Sequence, residues 1–146
     1  MDTIELKNEA LVVNDLLTQY VELHNNFLKS AGTFSSLFRK VDFKKLAGDI
    51  YFLFEKFRDE KTKLDKLQSQ AESEKEEQFT ACLFLYTEAL TETVHLLFIM
   101  AHALQEKAEG KRLSFQEHMG NDKKYKNSIQ VYLKIGEELN NLYQTL

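Results

Sequence analysis

Residues 79–104 read FTACLFLYTEALTETVHLLFIMAHAL. Within them Phe79, Leu83, Tyr86, Leu90, Val94, Leu97, Ala101 and Leu104 recur at steps of three and four, the spacing that puts side chains on one face of an α-helix. Glu88, Glu92, His95, His102 and Glu106 gather in one sector of the opposite side. A helix patterned this way buries its apolar ridge and leaves the other side to water, so these acids and imidazoles are expected to point outward.

The same period appears three more times. Leu6, Ala10, Val13, Leu17, Tyr20, His24 and Phe27 form an earlier stripe. Phe43, Leu46, Ile50, Leu53, Phe57, Lys61, Leu64, Leu67 and Ala71 form a second, with one charged lapse at Lys61. Tyr125, Ile129, Tyr132, Gly136, Leu139, Tyr143 and Leu146 form the last. Four such helices joined by modest connections predict an all-α fold, an antiparallel four-helix bundle occupying residues 1–146 as one domain.

The breaks are placed by local chemistry. Ser30-Ala31-Gly32-Thr33 ends the first helix, and residues 34–38 read as a short extra helical turn before Asp42 caps the second. Ser73 with Glu76 three residues on is a capping-box signature and starts the third helix. No Gly or Pro interrupts residues 68–78, which leaves an unbroken helix open there. Glu109-Gly110 closes the third helix, Ser114 to Met119 reads as another short turn, and Asp122 after Gly120-Asn121 is the expected cap of the fourth. Of the glycines inside helices, Gly136 falls on the core stripe, where close packing is expected.

Composition sets limits on function. The 146 residues hold 19 Lys+Arg against 23 Asp+Glu, a net charge of -4, which disfavours a broad nucleic-acid surface. With no Pro and 5 Gly, the turn residues of a sandwich or barrel are missing. One cysteine, Cys82, cannot make an internal disulfide, and its neighbours Ala81, Leu83 and Phe84 suit a packed thiol. The first residues carry no apolar leader, and the most apolar run, residues 94–103, falls short of a bilayer span. A cytoplasmic protein without membrane attachment and without a cofactor is the expectation.

Two side-chain groups invite chemistry. Glu88, Glu92 and His95 include the Glu-x-x-His spacing of di-iron carboxylate bundles, so a metal-binding bundle is one alternative. Such centres need a second Glu-x-x-His helix and inward-facing ligands, and this chain has a single copy on an outward face. His24, inside an apolar stripe between Tyr20 and Phe27, is expected to be a structural imidazole hydrogen-bonded to a tyrosine or carbonyl.

Arg112 and His118, near the start of the terminal helix, form the third group. In an all-α domain of this size, that pair resembles the HEPN nuclease pattern. The resemblance implies a ribonuclease, or its inactive relative, in which Arg112 stabilises the phosphate and His118 acts in acid–base cleavage. It covers one heptapeptide and the helical layout, and Leu113 stands where family members commonly carry a polar residue.

The apolar content exceeds what a single stripe per helix requires. Residues 94–101 are large and apolar in nearly every direction, Tyr51-Phe52-Leu53-Phe54 places four bulky side chains in a row, and Phe84 and Ile99 fall on the charged side of their helix. Part of this surface is expected to meet a second chain. Tyr51, Phe52, Phe84, Phe98 and Ile99 are the expected interface of a non-enzymatic interaction, adaptor or regulatory bundle that self-associates or binds a helical protein partner.

Overall fold

The structure, a computed structural model, describes residues 3–31 and 42–146. It is an all-α four-helix bundle made of α1 (Thr3–Ala31), α2 (Phe43–Gln68), α3 (Glu74–Ala108) and α4 (Phe115–Thr145). Cross-helix partners establish the antiparallel order. Lys63 and Lys56 of α2 meet Glu9 and Gln19 of α1, while Lys61 of α2 meets Glu88 and Phe54 stacks on His95 of α3. On α3, Cys82 meets the Ile135 carbonyl and Thr93 meets Ser128, so α4 runs back along it. α3 lies centrally, packed along both α2 and α4 and also touching α1.

Local chemistry sets the helix ends. Asp42 accepts from the Lys45 N–H, and Ser73 accepts from the Glu76 N–H, each satisfying a donor that the first helical turn leaves free. Glu76 returns to the backbone N–H of Glu72 at 2.7 Å, one residue before the cap, so residues 69–73 form a tight connection rather than a continuous helix. At the end of α3 the Gly110 N–H reaches the Lys107 carbonyl and the Lys111 N–H reaches that of Glu106. This is a Schellman closure, and Gly110 supplies its left-handed residue with φ 98.

The fourth helix departs from expectation. It begins at Phe115, capped by Ser114 accepting from the Glu117 N–H, and runs through Gly120 and Asp122 without a break. The extra turn expected in the third connection is thus the first turn of α4, and Asp122 is no cap but an i,i+4 partner of Lys126. A glycine with helical dihedrals weakens a helix by about 1 kcal/mol, which a good cap and tertiary packing override. The short turn expected over residues 34–38 lies outside the described residues.

Seven-residue steps organise the core. Leu6, Val13, Tyr20 and Phe27 of α1, Ile50, Phe57 and Leu64 of α2, Leu83, Leu90 and Leu97 of α3, and Tyr125 and Tyr132 of α4 all lie in it. α3 buries a wider arc than its aliphatic ridge alone. Thr80, Thr87, Thr91 and Thr93 are buried, each donating its hydroxyl to a carbonyl four residues back in its own helix. These threonines let α3 face neighbours on several sides without orphaned polar atoms. An 18-residue window of this helix has a mean hydropathy of 1.3, long and apolar enough to cross a membrane, and 44% of it is buried inside the bundle. The run of residues 94–103 is shorter than that window because the apolar content continues before it at Cys82, Leu83, Phe84, Leu85 and Leu90, between polar residues.

At Gly136 a Cβ atom would stand 2.9 Å from the Tyr86 ring. Close packing is therefore what this glycine serves, letting α4 settle against an aromatic side chain of α3.

Candidate functional site

Antiparallel packing of α2 and α3 aligns aromatic side chains along their outer seam. Five rings run in contact: Tyr51 with Phe54 and Phe98, Phe54 with His95, and Phe98 with His102, at centroid separations of 5.1 to 6.0 Å. Offset and tilted ring pairs in this range attract one another beyond simple burial. Cations lie over the same surface, with Arg58 above Phe54 and Lys61 above Phe84, whereas Phe52 lies under Lys56, which bonds Gln19 of α1, on the other flank of α2. Tyr51 remains 42% exposed and Phe52 63% exposed. Phe84, Phe98 and Ile99 are half-buried.

All five expected interface residues thus lie on α2 and α3, four of them in or beside aromatic contacts. Sequence reasoning missed Phe54 and His102. Their signal was the spacing of Phe54 three residues after Tyr51 and of His102 four after Phe98, which stacks side chains on one helical strip.

Beside the seam lies a shallow groove bordered by Phe54, Arg58, Lys61, Asp65, Phe84, Glu88, Glu92 and His95, among others. Glu88, Glu92 and His95 therefore share one edge of it. Glu88 pairs with Lys61 at 3.1 Å, Glu92 is exposed, and the His95 ring packs on Phe54. No group of three or more His, Cys, Asp or Glu side chains suited to a metal ion occurs among the described residues. The charged side of α3 faces the groove and solvent, with cations interleaved among the acids.

Arg112 and His118 are placed differently from one another. Arg112 is exposed in the connection between α3 and α4. His118, half-buried on the first turns of α4, lines a groove with Ser30, Phe43, Leu104, Leu113 and Phe115, whose lining does not include Arg112. Apolar side chains dominate around His118, and the cation that lines this groove is Lys107 rather than Arg112.

His24 joins a buried phenol array between α1 and α4. Its Nδ1 bonds the Tyr125 hydroxyl, which bonds the Tyr20 hydroxyl at 2.6 Å. Tyr132 packs edge-on against both Tyr20 and Tyr86. Burial holds His24 below the usual imidazole range and pushes all three phenols of Tyr20, Tyr125 and Tyr132 up, so a neutral network is favoured. The expected tyrosine partner of His24 is Tyr125. Cys82, likewise buried, is pushed up to about 11, first by burial and then by the nearby Glu138 carboxylate, which makes it a poor nucleophile.

A second buried polar pair escaped the sequence reading. Glu9 of α1 and Glu60 of α2 are only 6% and 8% exposed. Lys63 Nζ lies 2.6 Å from Glu9 Oε1, and Lys63 sits one turn from Glu60 on α2, so the two carboxyl groups share one buried site. Glu9 Oε2 and Glu60 Oε1 are buried without a hydrogen-bond partner, as two facing acceptors are until one of them carries a proton. Burial, then the bond to Glu9 and its charge, push Glu60 up to about 8. Burial also works against the Glu9 carboxylate, but the bond from Glu60 and the Lys63 ammonium outweigh it and hold Glu9 below the ordinary value. Each acid occupies a core position at seven-residue steps, Glu9 before Leu16 and Glu60 between Leu53 and Leu67, and that step was the signal available in the sequence.

No protein-family model, curated protein or solved structure matches the chain.

Proposed function

We propose that the chain is a non-enzymatic interaction protein that self-associates through the α2–α3 seam. The observation that carries this reading is the run of contacting rings from Tyr51 to His102, left partly open along the outside of the bundle. Aromatic side chains supply most of the energy at protein interfaces, and contiguous aromatic surface is costly to leave in water. The rings that α1 and α4 share, Tyr20, Tyr125 and Tyr132, are by contrast buried and offer nothing to a second chain. Charges of both signs flank the seam, Arg58 and Lys61 beside Asp65, Glu88 and Glu92. A second copy in reversed orientation matches such a pattern to itself, as a two-fold interface requires. A cytoplasmic location belongs to the same reading and is supported by a single cysteine with no disulfide partner.

Sedimentation of the wild-type chain against Tyr51→Glu tests it. Tyr51 contacts Phe54 and Phe98 in the seam and is 42% exposed, so the substitution spares the core but buries a carboxylate in any contact made there. The expected result is concentration-dependent association by the wild type, weakened by about tenfold or more in Tyr51→Glu. Val131→Glu on α4 is expected to associate as the wild type does. A wild-type chain that stays monomeric, or equal association by Tyr51→Glu, contradicts the proposal.

A further inference from the structure

Two acids in the core of a helical bundle are expensive unless they share something. Glu9 and Glu60 are buried at the α1–α2 interface, where Lys63, one turn from Glu60, reaches Glu9, at positions where the heptad pattern otherwise places Leu16, Leu46, Leu53 and Leu67. Were both ionised, Glu9 Oε2 and Glu60 Oε1 would stand buried as two acceptors with no proton between them. A single proton on Glu60, donated to Glu9, satisfies both atoms at once, and the Lys63 ammonium satisfies the remaining Glu9 oxygen. The charges that act on the pair are Lys63 from α2 and, through Lys63, Glu5 from α1. No ionisable group of α3 or α4 among the described residues contributes to either carboxyl.

We propose that Glu9 and Glu60 form a one-proton latch that holds α1 against α2 and lets it go when the proton leaves. α1 is suited to release. It adjoins α2 and α3 over a smaller interface than those α3 makes with α2 and α4, and it meets α4 through long side chains such as Tyr20 on Tyr125 and Lys7 over Tyr143. With α1 detached, both carboxyls meet water and return to the ordinary acid range, so opening expels one proton in neutral solution. Opening is therefore favoured as pH rises from about 4.5 through about 8, where the closed pair itself loses the proton. Above that the dependence levels off.

Hydrogen exchange on the full chain between pH 6 and 8.5, normalised for the base-catalysed exchange chemistry, reads α1 directly. In the wild type, protection of α1 relative to α3 is expected to fall by up to about tenfold per pH unit below pH 8. In Glu60→Gln the amide still donates to Glu9 but cannot titrate, and α1 protection is expected to stay level. A level wild-type profile, or the same slope in Glu60→Gln, overturns the latch. A carbon-13 titration of the wild-type carboxyls probes the shared proton without any substitution. One glutamate titrating near pH 8 supports the latch, and all of them titrating in the ordinary acid range overturn it.

Discussion

Leu90→Ala is expected to lower the unfolding free energy by about 2–5 kcal/mol, whereas Leu85→Ala, five residues earlier on the same helix, changes it by no more than about 0.5 kcal/mol. Leu90 is fully enclosed near the middle of α3, the helix that packs along α2 and α4 and touches α1, and deleting three carbons leaves a cavity that rigid neighbours cannot fill. Leu85 is 51% exposed and loses little contact on truncation. Urea unfolding of the two variants beside the wild type makes the comparison. Similar losses at both positions would mean that α3 is rotated from the orientation described.

That orientation was legible in the sequence because aliphatic spacing reports helix rotation directly. Phe79, Leu83, Leu90, Val94, Leu97 and Ala101 are all enclosed, while Glu88, Glu92 and His102 lie toward solvent. Caps at Asp42 and Ser73 were equally legible, since each is one side chain answering one backbone donor three residues on. The start of α4 was not. Gly120-Asn121-Asp122 has the composition of a break, and only the Ser114 cap and the packing of α4 on α3 decide that the helix continues through it. Glu9, Glu60 and the buried threonines of α3 were missed for one shared reason. A polar side chain is tolerated in a core when it finds a partner, and a partner on another helix, or a carbonyl in the preceding turn, is not written in hydropathy.

For the seam, the sequence indicated which residues were surplus to the core but not how they touch. Tyr51 and Phe98 lie 47 positions apart, and only antiparallel packing of α2 on α3 brings their rings to 5.2 Å. For the HEPN-like pair the local sequence supplied the spacing but not the surroundings, which are an exposed Arg112 in the connection and a half-buried His118 in a groove that Lys107 also lines.

Replacing Glu9 and Glu60 together by leucine is expected to stabilise the bundle by about 1–4 kcal/mol at pH 8, the range seen when buried ionic groups give way to apolar ones of similar size. The sign follows from Glu60. Its folded-state value is raised above 4.5 to about 8, so the stability it contributes is complete below about pH 4.5 and is lost as pH rises through about 8. The double variant lacks this loss. Its advantage should therefore grow with pH across that window and be smallest in acid, where the wild-type pair keeps its proton. Urea midpoints at pH 5, 6.5 and 8 measure the trend. A double variant less stable than the wild type at pH 8 would show that the acids stabilise the α1–α2 contact by charge rather than by a shared proton.

Hydroxyl-radical footprinting of the wild-type chain over a range of concentrations tests most directly that the α2–α3 seam is where copies meet. Tyr51, Phe84 and Phe98 are expected to lose reactivity as concentration rises, while Phe115 and Leu133 on α4 keep theirs. Protection of the α4 residues instead, or unchanged reactivity at Tyr51, Phe84 and Phe98 through the association, would contradict the account.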